Sequence, residues 1–389
     1  MSTDAIEGSP PLVLIEGGPG DVLLRRLRLA PLAERARRAA LVLAAITWIP
    51  LLVLSAIGNV ALGGVRVPFL HDVGAHVRFL VAVPLLVLAE IPIGRRVRQV
   101  TALFVEAGLV RKEQHPRFVE IIDRTLALRD SRVGGWLVLA AAYVASYGVL
   151  ATALQAGSTW HAPSADGGTM PAALWYAFVS LPLFQFLLFR WVYRMGLWTR
   201  LLRQLSTLDL QLTPAHPDGA GGLAFLGKAC VPFGLLLFAL SAVLSGAMAT
   251  RILFEGASLN DVGRTYAALV VLELVVFAGP LLTFAPVLAR VRRRGLHEYG
   301  ALASRYTQLF DRKWVTASGA PEELLGTGDI QSLADLGSSY ERVKKMHLVP
   351  IDLRAFIAMT IPAVIPALPL AATVIPVSDI LKDLVQLVR

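Results

Sequence analysis

Cysteine is almost missing: Cys230 is the single one in 389 residues, and it lies inside an apolar run. No intrachain disulfide can form, cysteine usage is silent about redox compartment, and this thiol is expected to pack as a small apolar group. Lysine is scarce beside arginine. The signatures GxSxG, HExxH and paired CxxC are absent, so no catalytic residue, metal set or cofactor motif is singled out, although a membrane enzyme need carry none of them. The first twenty residues, MSTDAIEGSPPLVLIEGGPG, lack the basic start and apolar run of a cleavable signal and read as an acidic, mobile tail.

Charge is also thin. At 17% charged and 55% hydrophobic, with a mean hydropathy of +0.61, a chain of this length is too apolar for an ordinary polar surface, and a lipid bilayer would supply the missing apolar solvent. The net charge of +9 sits in short arginine blocks beside apolar runs, where anionic lipid and the insertion machinery meet them, so no nucleic-acid partner is expected. Preference for Arg and Ala over Lys fits a bacterial chain of high-GC coding bias. The expected location is therefore the bacterial inner membrane.

What is present is a series of apolar runs long enough, at roughly 20 residues each, to cross about 30 Å of hydrocarbon as helices. The spans read from hydropathy are Ala39 to Ile57, His76 to Ile93, Val133 to Gln155, Pro171 to Trp191, Ala229 to Thr250, Tyr266 to Leu288 and Ala355 to Val377. The expected fold class is all-α: a polytopic integral membrane protein of about seven transmembrane helices, six plus a proline-broken or re-entrant seventh, with cytoplasmic helical segments. Its organisation is a basic amino-terminal segment 1–38, hairpins 39–93, 133–191 and 229–288, intervening segments 94–132, 192–228 and 289–354, a proline-rich span 355–377 and an amphipathic helix 378–389.

Orientation follows the cations, because basic loops resist translocation. Arg25, Arg26, Arg28, Arg35, Arg37 and Arg38 precede the first span; Arg95, Arg96 and Arg98 follow the second; Arg194, Arg200 and Arg203 follow the fourth; Arg290, Arg292, Arg293 and Arg294 follow the sixth. Segment 156–170 carries no Lys or Arg, and 251–264 only Arg251 and Arg264. The amino terminus is expected in the cytoplasm. Trp136, Trp175, Trp191 and Trp198 fall near span ends, where an amphipathic ring prefers the interface.

The basic segments also carry helical periodicity. Phe118, Ile121, Ile122 and Leu126 recur at helical spacing behind Pro116; Leu197, Leu201, Leu205 and Leu208 extend the fourth span as an amphipathic helix; and two helical patterns, Leu296 to Trp314 and Asp329 to Met346, flank the breaker GAPEELLGTG. In the last span Pro362, Pro366, Pro369 and Pro376 each remove a backbone donor. A straight helix is not expected there, and the stretch is either a hinge or cavity wall, or a kinked packing helix or re-entrant hairpin. The terminal SDILKDLVQLVR presents an apolar face of Ile380, Leu381, Leu384, Leu387 and Val388, suited to the membrane surface or a second copy of the chain.

Candidate sites rest on polar groups in unusual surroundings. Glu273 is the deepest ionisable group, carrying a proton or coordinating a cation, or else hydrogen-bonded as a neutral carboxyl to a neighbouring helix. Glu90 and Gln185 join it as pathway candidates, while Arg78 and Arg190 are expected to snorkel to the interface. The segment PAHPDGAGGLAFLG makes a turn through His216 and Asp218, and Gly221 and Gly222 allow a close backbone approach whose free N–H groups suit an anion; it matches neither a P-loop nor GxGxxG. His71 and His76, with Asp72 and His161, are candidates for sensing external pH, against ordinary helix capping by Asp72. Together these favour a channel or small-solute or ion transporter whose cytoplasmic helices gate or assemble it. The alternatives are a sensor or scaffold binding a cytosolic protein, and a lipid-handling enzyme using His216 and Asp218.

Overall fold

Apolar runs of this length fold as helices because only a helix satisfies every backbone N–H and C=O within one segment. The computed structural model describes residues 32–155, 159–161, 171–316 and 328–372. Among the described residues no strand occurs, only the isolated bridges Val67 with Thr159 and Val110 with Leu210. The elements are α1 (Leu32–Ile57), α2 (Val73–Glu106), α3 (His115–Arg129), α4 (Arg132–Gln155), α5 (Pro171–Leu205) and α6 (Phe225–Glu255), α7 (Leu259–Ala278), α8 (Ala285–Phe310), α9 (Gly328–Lys344) and α10 (Leu353–Val364). Among the described residues, seven helical runs are long and apolar enough to cross a membrane, the last from Leu353 to Leu370.

Proline explains where these helices deviate. In α2 and α5 a π turn, Val77–Ala82 and Tyr176–Ser180, comes just ahead of Pro84 and Pro182, where the missing N–H leaves the α-helical ladder short of a donor. In α1, Pro50 cannot donate to Ile46 four residues earlier, and the indole of Trp175 does so instead at 3.1 Å. The next carbonyl, Thr47, accepts from Ser180 Oγ at 2.8 Å. The first helix is thereby tied to α5, at Ile46 through a carbonyl that its own proline left open.

Helices α5 and α6 hold the core. Leu181, Phe184, Leu187, Trp191, Met195, Trp198, Leu201 and Leu205 of α5 are all buried. Gly246 of α6 meets Gly74 of α2 so closely that a Cβ added at Gly246 would lie 3.2 Å from the Gly74 Cα, the kind of approach that small residues permit between membrane helices. The outward faces are apolar too: Leu41, Val42 and Val53 of α1, Trp136, Val144 and Tyr147 of α4, and Val271, Leu272 and Val275 of α7 are exposed. A soluble helix puts polar residues there. These faces suit lipid, and they suggest a multi-pass membrane protein.

The connections sort to two ends. At one, Arg66 donates to Phe254 O at 2.6 Å and Trp160 N donates to Val67 O at 3.2 Å, joining loops poor in cations. At the other, Gln211 N meets Leu109 O at 2.8 Å, His347 N meets Gly219 O at 2.8 Å and Arg292 donates to Lys344 O at 2.7 Å. Leu197, Leu201, Leu205 and Leu208, and Phe118, Ile121 and Ile122 of α3, are buried against protein.

One expectation needs correction here. Trp191 and Trp198 are not interfacial rings but buried core residues, and the indole N–H of Trp191 donates to Leu86 O at 2.8 Å, so a protein carbonyl takes the polar end that water would otherwise take. In the proline-rich run α10 passes through a 3-10 turn, Ile365–Ala367, into a further helical turn, Leu368–Ala372. Pro376 and the amphipathic 378–389 lie outside the described residues.

Candidate functional site

Glu273 lies on α7 among Val271, Leu272 and Val275, all exposed, and its carboxylate Oε2 accepts from Ser241 Oγ of α6 at 2.9 Å. Ser241 also lies within hydrogen-bonding reach of Tyr266, two turns before Glu273 on the same face of α7. The Tyr266 hydroxyl in turn donates to Ala363 O at 2.9 Å, and Ser245, one turn along α6 from Ser241, donates to Pro366 O. The result is a strip of hydroxyls and one carboxylate between α6, α7 and the final helical run.

That strip explains how the prolines are accommodated. In a 3-10 turn the carbonyl of residue i takes the N–H of residue i+3, so Ala363 and Pro366 would look to Pro366 and Pro369, which have none. Tyr266 and Ser245 supply the missing donors. Pro362, with its Cγ 3.0 Å from where a Cβ on Gly234 would stand, sets the contact with α6.

Beside the strip opens a cleft of about 350 Å³ between α5, α6, α7 and the middle of α2. Its walls include Leu86, Trp191, Gly196, Leu240, Val276 and Phe277, and among the described residues Glu273 is the one charged side chain in its lining. Of the other pathway candidates, Gln185 is buried on α5 but outside that lining. The prolines do not line it either.

Glu90 is not a lone carboxylate. Its Oε1 lies 3.0 Å from both Arg190 Nη1 and Arg194 Nη1, and the Arg194 guanidinium stacks 5.2 Å from the centre of the Trp191 ring. Arg190 and Arg194 therefore do not reach out to an interface or a loop; the Arg194 side chain is only 6% exposed. Their i, i+4 spacing inside an apolar run was the legible sign that both face one side of α5.

The HPDGAGG turn uses its backbone N–H groups internally. Asp218 accepts from Ala220 N at 2.9 Å, Gly222 N at 3.1 Å and Ala224 N at 3.0 Å, and His216 Nδ1 lies 2.8 Å from the same carboxylate. These three donors, suited by sequence to an outside anion, already hold an anionic group of the chain itself. Burial works against the ionised form of Asp218, but the Ala224, Ala220 and Gly222 N–H groups and His216 outweigh it and hold the carboxyl below its ordinary range. Gly221 and Gly222 adopt φ of +67° and +102°, which lets Met346 Cε and Leu109 Cδ2 pack at 3.1 Å from where a Cβ would be.

At the other end Asp72 caps the start of α2 through Ala75 N at 3.0 Å and accepts from the Trp160 indole at 2.9 Å. His76 Nδ1 accepts from Trp48 Nε1 at 2.9 Å, while His71 is exposed. The histidine that this arrangement encloses is His161, with Trp160 and Tyr176 rings at 4.8 and 4.9 Å. Burial lowers its pKa to about 4, with Asp72 opposing and Arg78 adding to the shift. Among the described residues no group of three or more His, Cys, Asp or Glu could hold a metal ion. No protein-family model, curated protein or solved structure matches the chain.

Proposed function

We propose that the chain is a multi-pass protein of the bacterial inner membrane, amino terminus in the cytoplasm, that moves a proton, small ion or small solute past Glu273. The observation that carries this reading is the carboxylate itself, set in an apolar stretch of α7, bonded to Ser241 and bordering a cleft. An intramembrane carboxylate costs several kcal/mol to expose to lipid, which favours a polar or functional setting for it. The hydroxyls of Ser241 and Tyr266 extend the polar surface from Glu273 towards the final helical run. Purified protein in liposomes loaded with a pH-sensitive dye tests the proposal: flux is expected under an imposed gradient or potential and is lost in Glu273→Gln. Absence of proton, ion or solute flux from the wild-type protein at every pH and potential overturns it.

A second reading, a sensor or scaffold for a cytosolic protein, draws support from α8 and α9, where Leu302, Leu309 and Ile330 are exposed. Liposome flux that persists after Leu302, Leu309 and Ile330 are changed to Ser would separate this surface from the transport reading. Nothing comparable favours a lipid-handling enzyme, since Asp218 is committed to its own turn.

A further inference from the structure

The cleft next to Glu273 has a chemistry that selects its occupant. Its lining is almost wholly apolar, with Leu240, Val276 and Leu188 beside the aromatic rings of Trp191 and Phe277, and among the described residues the single charge is the Glu273 carboxylate. Thr199, the other polar side chain there, spends its hydroxyl on Met195 O at 2.8 Å. A neutral acyl chain would fill the space but leave the carboxylate without a counter-charge. A bare metal cation would need more oxygen or nitrogen ligands than one carboxylate and one hydroxyl provide, and among the described residues no cluster supplies them.

We infer that this cleft binds a lipophilic organic cation: an apolar body against Leu240, Val276 and Phe277, with its ammonium or phosphonium charge beside Glu273. The inference rests on the reading of Glu273 given above and names the class of solute. Three features support it. The volume, about 350 Å³, falls within the range of about 300 to 1,000 Å³ that small-molecule sites occupy, and the mix of apolar wall and one placed polar group is typical of them. The charge is complementary, and in a medium of low dielectric a paired carboxylate and cation attract far more strongly than in water. Phe277 adds an aromatic ring to the lining, a group that attracts cations, while the Trp191 ring is already covered by Arg194, whose charge is directed to Glu90.

Gly196 supplies an independent handle. It lines the cleft, and a Cβ built on it meets nothing within 4 Å, so a large side chain there fills the cleft without displacing backbone. The test uses the full-length protein in phosphatidylcholine nanodiscs with radiolabelled tetraphenylphosphonium as probe. Saturable binding is expected, displaced by octyltrimethylammonium and not by octanol at the same concentration. Glu273→Gln is expected to weaken binding at least tenfold, and Gly196→Phe to do the same while unfolding at the wild-type temperature. No saturable binding to the wild type, equal displacement by octanol, or wild-type affinity in folded Glu273→Gln overturns the inference. Displacement by octanol needs no variant, so the test survives a variant that fails to fold. Liposome flux without cation binding sinks this inference alone, whereas cation binding without flux sinks the transport reading and leaves the site standing.

Discussion

Glu90 of α2 and Arg194 of α5 meet at 3.0 Å between Oε1 and Nη1, and Arg190 reaches the same oxygen at 3.0 Å. The three side chains are 20%, 6% and 12% exposed, so the ions are largely removed from water. In such a setting the attraction roughly offsets the desolvation, and the large penalty appears when one partner is taken away. Glu90→Ala is therefore expected to cost about 3–5 kcal/mol, read as a fall in unfolding temperature in detergent. Replacing all three residues by Leu should cost less than Glu90→Ala alone. A triple variant less stable than the single one would show that the cluster is net stabilising.

Asp218 gives a second prediction. Three backbone N–H groups converge on its carboxylate, and leaving them without an acceptor is expected to cost about 2–4 kcal/mol, part of it recovered by water. Asp218→Ala should lose that amount, and Asp218→Asn, which keeps one acceptor oxygen, about half of it. The pH dependence has a definite sign. The folded pKa is lowered, so the contribution is fully present above the ordinary carboxylate value of about 3.9 and is lost as pH falls through it toward the folded value. Acid unfolding curves of wild type and Asp218→Ala should converge below that value, and parallel curves would exclude it.

The sequence made the helices legible because hydropathy over about 20 residues is a long, redundant signal. It also marked Glu273, whose neighbours along the chain are apolar on both sides. What it could not show was partnership. Glu90 and Arg194 are distant in the chain, and Arg194 follows Trp191 closely enough to pass for the start of a basic loop. Ser241, Ser245 and Tyr266 look like ordinary hydroxyls in apolar runs until the fold sets them against Glu273, Pro366 and Ala363. The turn at His216 and Asp218 was visible as a turn. That its own carboxylate takes the N–H groups depends on where the backbone goes after Gly219, with φ positive at Gly219, Gly221 and Gly222.

His161, outside the spans, has a folded-state pKa well below its ordinary range. Burial holds its pKa at about 4 against an ordinary 6.5. The folded form then binds fewer protons than the unfolded one between those values, so stability falls as pH drops from about 6.5 to about 4, by up to about 3 kcal/mol. Below pH 4 the loss from this group is complete. His161→Gln should flatten the dependence of unfolding temperature on pH across that window. An unchanged slope in the variant would assign it to other groups.

The hydroxyls that serve the proline-rich run allow the most specific test. Tyr266→Phe and Ser245→Ala each remove a hydrogen bond to a carbonyl, Ala363 and Pro366 respectively, at an expected cost of about 0.6–2 kcal/mol per bond in a membrane protein. If those carbonyls are open because Pro366 and Pro369 lack N–H groups, restoring a donor should make the matching hydroxyl redundant. Pro366→Ala is then expected to shrink the cost of Tyr266→Phe, and Pro369→Ala that of Ser245→Ala. The crossed pair Pro369→Ala with Tyr266→Phe shares no carbonyl and should add within about 0.5 kcal/mol. Coupling in that pair as large as in the two matched pairs would mean that the prolines act by bending the helix as a whole and not through these two acceptors.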